Sequence, residues 1–189
     1  MIINSNDIRK YRPIAENIDD AARLDPYIKE AETLRIVDVL GADLYKWLNT
    51  TDFSKGDSFD YTTPSGKIVT ITQKQHDEII NGGYYESSCS CGGGYSSGLG
   101  AAISYIAYAR FIINNPINIT AFGVKIKNTS FSENVDDKVL IRSSNDARKI
   151  GEAYLAKCVE QLKSFGLIEC RKYREGAGGK YHAIGKEGM

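Results

Sequence analysis

The chain has 189 residues, of which 24 are Lys or Arg and 24 are Asp or Glu, so its formal net charge is zero. That length favours a single domain, and a hydrophobic fraction of 42% is enough for a packed core. Neutrality argues against general binding to nucleic acid or to anionic membranes. We also find neither a signal peptide nor an apolar stretch long enough to span a bilayer.

The N-terminal part of the sequence predicts two helical units. Ser5 or Asn6 is expected to cap a short helix that ends near Tyr11. The segment Asp25–Leu48 then reads as a helix, a stop at Gly41 and a second short helix. Its first residue is a suitable N-cap, and its apolar residues recur at three- and four-residue spacing, which is typical of one buried helix face.

A β-hairpin, a capped helix and a loop are predicted next. Residues Asp57–Thr72 alternate apolar and polar side chains around a Thr-Pro-Ser-Gly turn, which favours a hairpin inserted into the helical scaffold. Thr72 and Gln75 match a capping box, so a helix should run from Gln73 to about Asn81. Tyr84–Gly98 is rich in Gly, Ser and Tyr, lacks periodicity, and is predicted to be a flexible loop.

The next helix, Leu99–Asn114, is apolar on two faces, so it should lie centrally in the core. Val124 and Ile126 then alternate with lysines in a manner typical of a strand.

A long helix should begin near Asp136 or Ser144 and end at Phe165-Gly166. The serines and asparagine at 143–145 are expected to break or bend its start, because their side chains compete for backbone hydrogen bonds. Residues Leu167–Met189 are predicted to form a C-terminal arm.

Together these elements predict a mainly α fold. We expect a helical bundle of about four to five helices, with a β-hairpin insertion and an extended loop and C-terminal arm, in one domain covering residues 1–189. The predicted core consists of Leu34, Val37, Leu40, Leu44, Leu48, Ile106, Ala109, Ile113, Ile150, Tyr154, Leu162 and Phe165.

Cys89 and Cys91 are the weak candidates for a metal site, with His76 or His182 as further ligands. Structural zinc sites usually use two cysteine pairs spaced by two to four residues, and the sequence has one tighter pair. Both histidines are interpreted as surface residues, and Cys158 as a small apolar residue in a helix. We therefore expect no cofactor, no bound metal and no catalytic activity.

Three segments in order resemble a virion family. They are Pro26–Leu48, PYIKEAETLRIVDVLGADLYKWL; Phe122–Asp137, FGVKIKNTSFSENVDD; and Arg148–Phe165, RKIGEAYLAKCVEQLKSF. Their order resembles the head–tail connector, or adaptor, proteins of tailed bacteriophages, especially those of Bacteroidetes-infecting and crAss-like phages. The similarity covers the helical scaffold and leaves out the hairpin, the loop and the C-terminal arm.

The resemblance implies a subunit of a homo-oligomeric ring, commonly a dodecamer, below the portal. Such a ring extends the channel through which double-stranded DNA passes without sequence recognition, and it docks tail or neck proteins. The expected partners are therefore copies of itself, the portal protein and further neck rings. The location would be the neck of the virion, after synthesis in the cytoplasm of the bacterial host.

Ring contacts should lie in the segments outside the periodic helices, because edge strands and unpacked arms can order on a neighbour. The candidate interface residues are Phe59, Tyr61, Ile68, Tyr84, Tyr85, Tyr95, Phe122, Phe131, Leu167, Ile168, Arg171, Tyr173, Arg174 and Tyr181. A protein-interaction module without a role in the virion is the alternative, and a cysteine-based zinc or thiol protein is a less favoured one.

Overall fold

The computed structural model describes residues 1–12, 14, 23–53, 55–86, 93–114, 117–120, 123–126 and 137–169. Its fold is mainly helical, as predicted, with small antiparallel hairpins. Helix α6, Gly98–Asn114, lies at the centre, and eleven of its residues are buried. It packs against the long helix α7, Asp137–Ser164, and against three shorter helices: α1, Ser5–Tyr11; α2, Asp25–Ala31; and α5, Gln73–Asn81.

Helix α1 begins with a capping box one residue earlier than the sequence suggested. The N-cap is Asn4, whose side chain accepts a hydrogen bond from the backbone N–H of Asn6 at 2.9 Å. The carboxylate of Asp7 in turn accepts a hydrogen bond from the backbone N–H of Asn4 at 2.9 Å. The prediction of Ser5 or Asn6 as the N-cap is wrong, because the side chains of Asn4 and Asp7 accept the free backbone N–H groups of Asn6 and Asn4 at the start of the helix.

A π-helical segment, Glu32–Ile36, follows α2 and leads into α3, Val37–Leu40. The extra residue in a π turn shifts the phase of the following side chains. Ile36 is therefore fully buried, whereas Leu34, which was predicted to belong to the core, is 59% exposed.

The ends of this helical stretch follow the prediction in part. Asp25 is not the N-cap, since Leu24 occupies that position without a side-chain cap. Gly41 ends α3 with φ +84°, as predicted, and helix α4 then spans Ala42–Thr50.

The next hairpin and helix confirm the prediction. Strands β1, Ser58–Thr62, and β2, Ile68–Thr72, pair in antiparallel fashion. The hydroxyl of Thr72 accepts the backbone N–H of Gln75 at 3.2 Å, and the Gln75 side chain accepts the N–H of Thr72 at 2.9 Å. This capping box starts α5, which ends at Gly82.

Two short hairpins complete the described strands. The segment predicted as a loop contains β3, Gly83–Tyr85, paired with β4, Gly94–Ser96. Strand β5, Ile117–Thr120, pairs with β6, Gly123–Ile126, and β6 contains Val124 and Ile126, whose alternation with lysines predicts a strand. The loop prediction was therefore wrong at both of its ends.

Helices α6 and α7 approach closely at Gly151. A Cβ atom at this position would lie 2.7 Å from Cγ1 of Ile106 and 3.2 Å from the carbonyl oxygen of Ala102. Helix α7 is continuous through residues 143–145, so of the predicted break or bend the break is wrong. The hydroxyl of Ser144 instead donates to the carbonyl oxygen of Ala109 on α6 at 2.8 Å, which ties the two helices together.

Helix α7 ends in a Schellman motif at Gly166. The backbone N–H of Leu167 donates to the carbonyl oxygen of Leu162 at 3.0 Å, and the backbone N–H of Gly166 donates to the carbonyl oxygen of Lys163 at 3.0 Å. Gly166 has the positive φ of +78° that this motif requires. Leu167 is only 2% exposed. The predicted C-terminal arm thus begins with a residue that belongs to the core.

Six members of the predicted core are buried: Leu40, Leu44, Leu48, Ile106, Ala109 and Leu162. Four are half-buried: Val37, Ile150, Tyr154 and Phe165. Two are exposed, Leu34 at 59% and Ile113 at 42%, so their prediction as core residues was wrong. Both lie beside the same surface groove.

Candidate interaction surfaces

A groove with a volume of about 490 Å³ lies between the π-helical segment, the C-terminal half of α6 and the N-terminal half of α7. Leu34 and Ile113, the two exposed members of the predicted core, both line it, and Asn114 and Asn145 add amide groups. The groove therefore offers exposed apolar side chains beside polar groups, which is the usual composition of a binding surface. We refer to it below as the helical groove.

Three arginines line the helical groove, and two of them are paired. Arg35 makes a bidentate contact with Glu152, with Nε 2.8 Å from Oε1 and Nη2 2.6 Å from Oε2. This contact raises the pKa of Arg35 above its ordinary value. Arg110 contacts Glu30 at 2.9 Å. Arg148 is exposed, and within the part of the chain that the structure describes it has no ion-pair partner.

The β3–β4 hairpin forms a second surface. Tyr84 and Tyr95 face each other across the two strands, with ring centroids 5.1 Å apart and planes at 64°. They are 81% and 53% exposed. Glu86, at the end of β3, is also exposed and has no ion-pair partner among the described residues. We call Tyr84, Glu86 and Tyr95 the tyrosine patch.

The other face of this hairpin is fixed to helix α7. Tyr85 is 6% exposed, and its hydroxyl donates to Oε2 of Glu160 at 2.8 Å. Burial, together with this hydrogen bond, raises the pKa of Tyr85 to about 12, while hydrogen bonds from Lys157 and Tyr85 lower the pKa of Glu160. The hydroxyl of Ser96 lies 3.2 Å from Sγ of Cys158. The tyrosine patch is therefore presented outward from an anchored hairpin.

The β1–β2 hairpin contributes little free surface. Tyr61 is 5% exposed and contacts Trp47, with ring centroids 5.2 Å apart, and Phe59 is half-buried against Phe53. Only Ile68 among the predicted contact residues of this hairpin is exposed, at 64%. The structure thus places the Tyr61 ring in the core of the chain rather than on a contact surface.

His76 differs from its prediction as a surface residue. Its ring stacks on Phe53 with a centroid distance of 3.7 Å and an interplanar angle of 14°. Burial lowers the pKa of His76 below its ordinary value of 6.5, although Asp77 opposes this effect. The ring is therefore part of the aromatic cluster under the β1–β2 hairpin.

The remaining predicted site residues divide between the core and the undescribed segments. Tyr85 and Leu167 are buried, so neither lies on a free surface of this chain, whereas Ile168 is half-buried and stays a candidate. The candidates outside the described residues are Cys89, Cys91, Phe122, Phe131, Arg171, Tyr173, Arg174 and Tyr181. Sequence reasoning missed Leu34, Ile113, Arg148 and Glu86 as surface residues.

The described residues contain no group of three or more His, Cys, Asp or Glu side chains placed to hold a metal ion. Within the same residues, no helix has the length and apolarity needed to cross a membrane. Cys158 is 1% exposed, and burial raises its pKa to about 11, which confirms its interpretation as a packed residue.

Comparison with known proteins gives one match. No curated protein and no solved structure is significantly similar to this chain. One family model matches residues 36–165, which extend from the π-helical segment to the end of α7 and include both candidate surfaces in large part. Because this match covers more than half of the sequence, the chain belongs to DUF6712, a family of unknown function.

Proposed function

We propose that the chain is a structural virion protein, a head–tail connector subunit that forms a homo-oligomeric ring below the portal. The three ordered sequence segments that resemble bacteriophage adaptors support this function. Two of these segments, Pro26–Leu48 and Arg148–Phe165, contain most of α2 and most of α7, which both pack against α6. Two of the three segments that suggest the family therefore contribute to the helical scaffold of the fold.

The observation that carries the proposal is the presence of two exposed surfaces of different composition on different sides of α7. A ring closes through head-to-tail contacts, in which each subunit uses one surface toward one neighbour and another toward the next. The helical groove adjoins Glu152, whereas the tyrosine-patch hairpin adjoins Cys158, six residues later. Six residues correspond to about 9 Å along a helix and roughly 120° around it.

The proposed ring extends the DNA channel and docks the portal protein and further tail or neck proteins. A formal net charge of zero suits a conduit in which double-stranded DNA slides without sequence recognition, because tight phosphate binding requires an excess of Lys and Arg. The function requires no chemical step, so its demands fall on shape and on subunit contacts. Its site of action is the neck of the virion.

Quantitative mass spectrometry of purified phage particles tests this function. The chain should be present in several copies per particle, in an amount comparable with the portal protein and far below the major capsid protein. An abundant non-structural phage protein from the same lysate serves as the control for contamination. A chain that is made in infected cells and is depleted from purified particles to the level of that control would contradict the proposal.

A further inference from the structure

We propose that the tyrosine patch of one copy docks into the helical groove of a second copy. This inference rests on the proposed function, because a ring requires head-to-tail contacts between neighbouring subunits. It identifies the two surfaces that form each of these contacts. Both surfaces lie wholly in described residues. The second copy is favoured as the occupant because the two surfaces match each other in polarity and in charge.

The apolar parts of the two surfaces are complementary. The tyrosine patch projects two rings, those of Tyr84 and Tyr95, which are 81% and 53% exposed. The helical groove is concave, with a volume of about 490 Å³, and presents the aliphatic side chains of Leu34 and Ile113. Aromatic side chains inserted into an aliphatic pocket are typical anchors of protein–protein contacts.

The charges are also complementary. Glu86 in the tyrosine patch and Arg148 in the helical groove are both exposed, and neither has an ion-pair partner among the described residues. The other two arginines of the groove are already paired with Glu152 and Glu30. Glu86 and Arg148 therefore remain as opposite charges that a docked neighbour would bring together at the edge of the contact.

The position of the two surfaces prevents the contact from forming within one copy. The inner face of the β3–β4 hairpin is held to α7 by Tyr85, whose hydroxyl is 2.8 Å from Glu160. The groove lies on another side of the same helix, beside Arg148 and Glu152. A fixed hairpin on one side of α7 can reach a groove on another side only in a neighbouring molecule, which leaves each copy with one free patch and one free groove.

The contact should be weak for an isolated pair. Two tyrosine rings bury roughly 300–500 Å², whereas stable interfaces bury about 800 Å² on each partner. Free subunits should therefore associate only at high concentration. Closure of a ring, or arrangement on a portal, would raise the effective concentration of each surface and stabilise the assembly.

Reciprocal charge reversal tests the contact in the full chain. We expect Glu86→Arg and Arg148→Glu each to weaken self-association at least about tenfold, because each places like charges together. An equimolar mixture of the two variants should recover the self-association of the wild type. In alternating order, the reversed patch of one variant meets the reversed groove of the other, and the unchanged patch meets the unchanged groove. The double variant should also self-associate like the wild type. Analytical ultracentrifugation up to about 1 mM measures the association.

Matched controls separate this contact from general charge effects. Lys149→Glu makes the same charge change one residue further along α7, about 100° away from Arg148, and Ile68→Ser removes an exposed apolar side chain from the other hairpin. Both should associate like the wild type. Far-UV circular dichroism should show that all variants are folded.

Three outcomes would overturn the inference. They are a wild-type protein that is monomeric at every concentration tested, single charge reversals that leave self-association unchanged, or a mixture of the two variants that does not regain self-association. Portal binding that depends on Tyr84 in a monomeric chain would also overturn it, since the patch would then belong to another partner. The proposed function is tested separately by the presence of the chain in particles. If the chain is present in particles but the charge reversals do not change its self-association, only this contact is refuted. If mixing restores self-association but the chain is absent from particles, only the virion role is refuted.

Discussion

Glu32 is the most informative single residue for the stability of the fold. It is 1% exposed, yet it carries a carboxylate. Oε1 accepts hydrogen bonds from the backbone N–H of Ile2 at 2.7 Å and of Ile3 at 3.4 Å, and Oε2 accepts one from the hydroxyl of Tyr45 at 2.8 Å. The carboxylate thus joins the N-terminal segment, the π-helical segment and helix α4.

Replacing Glu32 by Ala should lower the free energy of unfolding by about 3 kcal/mol. The substitution leaves two strong donors in partly buried positions, the amide of Ile2 and the hydroxyl of Tyr45, without an acceptor. Each such donor costs about 1–3 kcal/mol, and the cavity adds to this, while relief of the buried charge subtracts from it. Tyr45→Phe removes one donor together with its need for an acceptor, so it should cost only about 1 kcal/mol.

Urea unfolding of the full chain at neutral pH, with the double variant included, measures these differences. We expect the two substitutions to be non-additive, because they share one hydrogen bond. Amide hydrogen exchange of Ile2 and Ile3 should also accelerate in Glu32→Ala and remain slow in Tyr45→Phe. A loss below about 1 kcal/mol in Glu32→Ala, with unchanged exchange at Ile2, would refute the role assigned to this carboxylate.

Three further predictions concern the packing and protonation of single residues. Gly151→Ala should destabilise the chain by about 1 kcal/mol despite the better helix propensity of Ala, because its Cβ would lie 2.7 Å from Ile106 Cγ1. A midpoint of thermal unfolding above that of the wild type would contradict this prediction. Burial lowers the pKa of His76 below 6.5, so the unfolded chain binds more protons in weak acid and stability should fall as the pH falls below that value. His76→Phe should keep the stack on Phe53 and make this decline shallower in urea titrations at pH 5 and 7.5; an unchanged decline would argue against the assignment. Cys158, whose pKa burial raises to about 11, should resist maleimide at pH 8 in the native state and react after unfolding, as peptide mass spectrometry would show; native labelling as fast as that of the unfolded chain would contradict its burial.

Local chemistry explains which elements could be predicted from the sequence. Thr72 and Gln75 satisfy each other's backbone N–H groups within four residues, so the start of α5 is encoded locally. Gly41 and Gly82 end helices with positive φ, which glycine adopts at little cost. The apolar character of both faces of α6 directly reflects its central position. In each case the information lies within one element.

The remaining features depend on geometry that periodicity does not report. The π-helical segment changes the phase of its side chains, which buries Ile36 and exposes Leu34. The strands β3 and β4 have three residues each, which is too few for alternation to be recognised. The pairing of Tyr84 with Tyr95 could therefore not be predicted from the sequence. The helical groove combines residues from three helices, and only their packing shows that Ile113 lies beside Leu34.

Cryo-electron microscopy of the neck of purified particles tests the central claim most directly. The account predicts a ring of this chain beneath the portal, with adjacent subunits joined at the tyrosine patch and the helical groove. The polypeptide path of helices α6 and α7, with their close approach at Gly151, would identify the subunit in the density. A neck in which every ring is accounted for by other proteins would contradict the account.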